Sequence, residues 1–98
     1  MNIQALMKQT QAIQKDMLKE KEEIDNSEFI GKSSIVTVYL KGTKMISKIE
    51  INEELSEIDD KELLCDMITS AVNDAMKQID KKTEEKMGKY SKGMPGLF

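Results

Sequence analysis

The chain has 98 residues and a formal net charge of −3 at pH 7, which is enough chain for one small domain. It contains neither histidine nor arginine, so all 15 basic residues are lysines. Without histidine it lacks the usual general base and the commonest metal ligand, and its single cysteine, Cys65, cannot form an intramolecular disulfide. We therefore predict that the protein is not an enzyme and uses no metal, cofactor or small-molecule substrate.

The first predicted element is a long N-terminal helix over residues 1–25. This segment has no glycine or proline and is rich in good helix formers. Its apolar residues recur at the a and d positions of a heptad, which predicts one apolar stripe along the helix. Thr10 and Glu20 interrupt this stripe. The stripe could pack on the chain's own sheet or against a second copy.

Residues 27–52 are predicted to form a three-stranded antiparallel sheet. The run 35–40 is β-branched and aromatic, which favours a strand, and residues 41–44 supply a turn. Polar and apolar residues then alternate over 45–51, as in a half-buried strand. Residues 29–31 are predicted to form a short preceding strand.

The second long helix is predicted over residues 59–87. Asp59 is a good N-cap residue, and Glu62 stands three positions later, as in a capping box. Gly88 is a suitable C-cap, and residues 88–98 are predicted to form an irregular tail because they contain further glycines and a proline. The sequence thus predicts an α+β fold, in the order α-β-β-β-α, as a single domain over residues 1–98.

This architecture predicts a homodimer. A small sheet covers only part of two long helices, and small chains with thin cores often associate. A closed dimer is the commonest solution. The predicted interface residues are Ile3, Leu6, Ile13, Met17, Val36 and Val38.

Charged residues are sorted along the chain. Eight acidic residues lie between Glu50 and Asp66, whereas six lysines lie between Lys77 and Lys92. At about 100° per residue, the apolar stripe of the second helix continues into lysines. Such lysines suit contacts with phosphate, although a solvated helix face explains the same pattern. The candidate phosphate-binding residues are Lys8, Lys15, Lys19, Lys81, Lys82, Lys86 and Lys89.

Lysine is a point charge and cannot reproduce the bidentate pairing of arginine with guanine. If double-stranded DNA is the ligand, the contacts are therefore expected on its backbone, with weak base specificity and steep salt dependence.

No segment of the sequence is long and apolar enough for a membrane-spanning helix. The longest apolar run, 35–40, is far shorter than the ~20 residues required, and the N-terminus lacks the apolar stretch of a secretory signal. We predict a soluble cytoplasmic protein with no membrane partner.

Several short segments follow one another in a distinctive order along the whole chain. They are Met1-Asn2-Ile3-Gln4-Ala5-Leu6-Met7-Lys8-Gln9 with Gln11 and Gln14, Val36-Thr37-Val38 with Gly42, Ile49-Glu50-Ile51, Ala71-Val72-Asn73-Asp74-Ala75, and Met87-Gly88 with Gly93-Met94-Pro95-Gly96-Leu97-Phe98. In this order they resemble the YbaB/EbfC family of bacterial nucleoid-associated proteins. The chain departs from the family in lacking arginine and in having Gly31-Lys32-Ser33-Ser34 where members often carry a glycine-rich stretch.

The resemblance implies a tweezer-like homodimer whose projecting helices bind DNA with low sequence specificity. It further implies a nucleoid location and a role in nucleoid organisation or gene regulation. On this basis the candidate lysines of the two helices become the predicted DNA-binding residues.

A protein-binding scaffold, for instance a prefoldin-like chaperone, is the alternative hypothesis. Such a protein also places strands between two long helices. The interruptions at Thr10 and Glu20 and the basic end of the second helix argue against this alternative.

Overall fold

The computed structural model of the chain describes residues 2–54 and 57–93. It contains a helix, three antiparallel strands and a second helix, which confirms the predicted α+β class and the order α-β-β-β-α. The elements are α1 (Ile3–Asn26), β1 (Glu28–Ser33), β2 (Val36–Lys41), β3 (Ile46–Ile51) and α2 (Lys61–Gly93). The molecule is elongated, with Cα extents of 71 × 19 × 14 Å.

The sheet has the order β1-β2-β3, and both neighbouring pairs are antiparallel. Ser34 and Ile35 connect β1 to β2, and Ser34 has a φ of 52°, a left-handed conformation that favours glycine. The turn therefore holds a serine in a backbone conformation that glycine adopts at lower cost.

The main core lies between the sheet and α2. Val36, Val38 and Leu40 alternate along β2 and are fully buried on the sheet face that α2 covers. Opposite them, α2 presents Ala71 and Ala75, whose short side chains let the helix lie close to the strands. Val36 and Val38, which the sequence predicts at a dimer interface, are buried in the core of the single chain.

A second, smaller core joins the two helices. Ile24 of α1 packs with Met87 and Tyr90 of α2, and Met17 lies partly buried beside them. Glu20 of α1 pairs with a residue near the end of α2. Ile24 and Asp25 line one cavity with Ile79, Asp80 and Thr83, whereas Glu20, nearer the start of α1, reaches Lys89, so the helices are antiparallel.

The second helix begins and ends later than the sequence predicted. Its first turn is capped by Asp60 rather than Asp59, because the Asp60 carboxylate accepts a hydrogen bond from the Leu63 N–H at 2.9 Å. Its end lies at Gly93, and Gly88 is inside the helix rather than at its cap. Burial of Met87 and Tyr90 on either side of Gly88 outweighs the helix cost of a glycine, which is about 1 kcal/mol.

The prediction of an irregular tail is therefore wrong for residues 88–93, which are helical. Residues 94–98 of that tail lie outside the described residues.

Candidate nucleic-acid interface

The lysines of α1 share one exposed face. Lys8, Lys15 and Lys19 are separated by seven and four residues, so helical geometry aligns them along the helix. Met17 and Ile24 lie on a different face, which packs against α2. The three lysines therefore point away from the core.

The lysines of α2 occupy two faces. The buried stripe of α2 continues from Ile79 to Met87 and Tyr90, instead of into lysines as the sequence predicted. Helical geometry places Lys82, Lys86 and Lys89 along one flank of this stripe and Lys81 on the opposite side of the helix. All four are exposed.

The candidate lysines differ in whether they already have a partner. The Nζ of Lys89 lies 3.3 Å from the Oε1 of Glu20. Among the described side chains, the other six candidates form no ion pair within 4.0 Å. The lysines outside the candidate set that do form ion pairs are Lys21 with Asp25, Lys44 with Asp80 and Lys48 with Glu50.

The Glu20–Lys89 pair perturbs the ionisation of both groups. Partial burial would raise the pKa of the Glu20 carboxyl, but Lys89 and Tyr90 together hold this pKa below its usual value of 4.5. In return, the hydrogen bond to Glu20 raises the pKa of Lys89. Both groups are thus charged at neutral pH, and they largely neutralise each other.

The predicted interface residues of α1 are divided between two environments. Met17 is partly buried by α2, whereas Ile3, Leu6 and Ile13 are exposed on the same helical stripe. The stripe extends beyond the part of α1 that α2 covers. Its free part exposes Ile3, Leu6 and Ile13, with Thr10 interrupting the apolar surface between Leu6 and Ile13.

Strand β3 presents a second uncovered apolar surface. Ile46 and Ile49 pair in register with Leu40 and Val38, which lie in the core, so they share the covered face of the sheet. Both isoleucines nevertheless remain exposed, because α2 packs on β1 and β2. The alternation over 45–51 had predicted a half-buried strand, but within one chain most of β3 is exposed.

Neither a metal-ligating cluster nor a membrane-spanning helix is found in the described part of the chain. Residues 2–54 and 57–93 contain no group of three or more Cys, Asp or Glu side chains placed to hold a metal ion. No helix within these ranges is long and apolar enough to cross a membrane.

Comparison with known sequences decides the family. A sequence model described as the YbaB/EbfC DNA-binding family matches residues 1–94. The chain belongs to the YbaB/EbfC family. This confirms the resemblance, and it favours DNA binding over the scaffold alternative.

Curated relatives carry names that agree with the family assignment. A "nucleoid-associated protein" of Lactococcus lactis subsp. cremoris is 47% identical over 97% of this chain and 98% of its own length. Nucleoid-associated proteins of Ligilactobacillus salivarius and Enterococcus faecalis are 44% and 41% identical, over 99% and 98% of this chain and 95% and 94% of their own lengths.

A solved structure shares the fold. The uncharacterized protein HP0035 from Helicobacter pylori superposes with a TM-score of 0.68 and covers 98% of this chain and 99% of its own. Its sequence identity to this chain is 24%, so the similarity concerns the fold.

Sequence reasoning missed the polar contact between the helices. Glu20 was noticed as an interruption of the α1 stripe, but its partner lies 69 residues away on another helix. The available signal was a carboxylate in an apolar stripe, which calls for a cationic partner because burying an unpaired charge is costly.

Proposed function

We propose that the protein is a homodimer that binds the backbone of double-stranded DNA with low sequence specificity. In this YbaB/EbfC protein, the ends of α1 and α2 form two basic arms. The observation that carries the proposal is that both arms display exposed lysines whose ammonium groups have no described carboxylate partner: Lys8, Lys15, Lys19, Lys81, Lys82 and Lys86.

Backbone binding follows from the chemistry of these residues. A lysine ammonium attracts a phosphate from many directions, whereas base readout in the major groove relies largely on planar, bidentate groups. The chain offers no arginine for such readout. Its affinity for DNA should therefore depend strongly on salt and weakly on base sequence.

The dimer is proposed to form through the uncovered apolar surfaces. These are the free part of the α1 stripe, with Ile3, Leu6 and Ile13, and the exposed isoleucines of β3. Burying them against a second copy removes apolar surface from water and presents two pairs of arms to one duplex. Val36 and Val38 are left out of this proposed surface because the single chain already buries them.

A cytoplasmic location at the nucleoid fits this activity and the names of the relatives. Binding with little sequence preference would place the dimer at many sites on the chromosome. Effects on nucleoid organisation and on gene expression would follow from this distribution.

The proposal is tested by titrating labelled duplex DNA and measuring anisotropy between about 50 and 200 mM salt. We expect binding whose logarithmic affinity falls linearly with the logarithm of salt concentration. Light scattering on the protein alone, in the same buffers, should give twice the chain mass. A flat response at the lowest salt would reject DNA binding and favour the protein-binding scaffold.

The arm surface is tested by the double variant Lys82→Glu with Lys86→Glu. It should bind DNA more weakly and lower the salt slope by about 1 for each phosphate that a lysine no longer neutralises, without changing the mass of the dimer. Lys32→Glu with Lys61→Glu is a matched control, because it makes the same charge change at exposed lysines away from the arms. Equal effects of the two double variants would show that only net charge matters.

A further inference from the structure

The ion pair between Glu20 and Lys89 differs from the other pairs of the described chain, because it joins the two arms. The pairs at Lys21 and Lys48 each lie within one element, and that at Lys44 ties the turn after β2 to α2. Glu20 belongs to α1 and Lys89 to the last turns of α2, which the proposed function assigns to DNA binding.

The two members of this pair have unequal freedom. The Glu20 side chain is 27% exposed and the Lys89 side chain 62% exposed. The second carboxylate oxygen of Glu20 is buried and accepts no hydrogen bond from the described residues. Lys89 instead lies over the ring of Tyr90, with its Nζ 5.1 Å from the centroid, at the surface of the helix. The lysine can therefore turn towards solvent, whereas the carboxylate stays at the helix contact.

We propose that Glu20 restrains DNA binding by acting as the internal counter-ion of Lys89. This inference rests on the proposed function. A phosphate can engage Lys89 only by displacing Glu20, and the displacement leaves a half-buried carboxylate without its main partner. Lys89 consequently contributes little to the affinity of the natural protein, unlike Lys82, which forms no ion pair among the described side chains. Lys86 interacts with the Glu20 carboxylate only at longer range.

The same contact gives Glu20 a positioning role. It joins the arms at the level of the small core formed by Ile24, Met87 and Tyr90. Binding of phosphate at Lys89 would release this connection. Binding of phosphate at Lys89 would therefore strengthen the DNA contact but remove the ion pair that holds the two arms together.

The test compares Glu20→Gln with Glu22→Gln. Both substitutions remove one negative charge from α1, but Glu22 is exposed and pairs with no described lysine. We expect Glu20→Gln to bind duplex DNA about 5-fold more tightly, because this gain corresponds to the free energy of a surface ion pair. The salt slope should become steeper by up to about 2, since a dimer has two copies of Lys89 that can then bind phosphate. Glu22→Gln should change the affinity less than about 2-fold.

Lys89→Gln completes a double-mutant cycle. In the natural background it should weaken DNA binding slightly, because it leaves the charge of Glu20 uncompensated, and in the Glu20→Gln background it should remove the gain. Glu20→Asp keeps the net charge but shortens the side chain, so it should reproduce part of the gain. Circular dichroism of each variant verifies folding. If Glu20→Gln does not fold, Glu20→Asp takes its place in the comparison.

The possible results distinguish failure of the counter-ion role of Glu20 from failure of the proposed DNA binding. If Glu20→Gln and Glu22→Gln bind equally, or if Lys89→Gln leaves the gain intact, the counter-ion role is overturned while salt-dependent binding by the natural protein still supports the proposed function. If the natural protein and both glutamine variants show no binding at low salt, the proposed function fails and the inference fails with it.

Discussion

The backbone of Gly31 in β1 lies directly against the carbonyl of Ala71 in α2. A Cβ atom at Gly31 would stand 1.9 Å from the Ala71 oxygen and 2.7 Å from the backbone nitrogen of Ala75. Both neighbouring atoms belong to the backbone of a long helix, so neither can move without displacing the helix. The missing side chain thus sets how closely α2 approaches the sheet.

Gly31→Ala should therefore destabilise the protein. The added methyl group forces α2 away from β1 and loosens the packing of the main core, a type of overpacking that costs about 1–3 kcal/mol or more. Urea unfolding followed by circular dichroism measures this loss.

Gly88→Ala is the matched control for this substitution. A Cβ atom at Gly88 would meet only the Cγ of Glu84, at the ordinary contact distance of 3.9 Å. Because Gly88 lies within α2, alanine should raise stability by about 0.5–1 kcal/mol. Similar responses of the two variants would contradict the close approach at Gly31.

The sequence was sufficient to predict the order of the elements because each carries a local signal. Periodicity distinguishes α1 from the strands, and β-branched residues mark β2. The limits of α2 depended on information that is not local. Asp59 and Asp60 are equally good caps by type, and only the hydrogen bond to Leu63 selects Asp60. The extension through Gly88 depends on Ile24, which lies far away in the sequence.

Ser34→Gly should stabilise the turn between β1 and β2. Ser34 has a positive φ, which costs an L-residue about 1–2 kcal/mol and costs glycine almost nothing. After the greater entropy of glycine in the unfolded chain is subtracted, we expect a gain of about 0.5–1 kcal/mol. Thermal unfolding measures the gain.

Ser33→Gly serves as the control, since Ser33 lies in β1 and is not among the positive-φ residues. It should lower stability, because glycine loses more conformational entropy than serine when the end of the strand becomes ordered. Stabilisation by both substitutions would mean that the turn conformation is not the cause.

Leu40→Ala should be among the more damaging substitutions in the main core. Leu40 is fully buried between β2 and α2, so truncation leaves a cavity and should cost about 2–5 kcal/mol. Leu18→Ala removes the same atoms from an exposed position on α1 and should change stability by less than about 0.5 kcal/mol. Urea unfolding at one protein concentration measures both, and equal losses would contradict the assigned core.

The sequence could not show which of the candidate lysines form ion pairs in the folded chain. Composition and helical spacing locate the lysines of the arms, but they do not distinguish Lys82 from Lys89. That distinction depends on Glu20, which approaches α2 only after the helices pack. The heptad pattern likewise could not show that α2 covers Met17 and leaves Ile3 and Leu6 exposed.

The Glu20–Lys89 pair should make stability depend on pH at both ends of the range. The pKa of Glu20 is lowered in the folded chain, so its contribution is present above its ordinary pKa of 4.5 and is lost as the pH falls through the folded pKa. The pKa of Lys89 is raised, so its contribution is present below its ordinary pKa of 10.5 and is lost as the pH rises through the folded pKa.

Urea unfolding of the natural protein and of Glu20→Gln at a series of pH values measures this contribution as a difference. The difference should be constant between about pH 6 and 9 and shrink on both sides, because at either extreme one member of the pair loses its charge. Other carboxylates, such as Glu50 beside Lys48, also have a lowered pKa, but they affect both proteins equally and cancel. A difference that stays the same down to the acid end would show that Glu20 acts through packing and not through its charge.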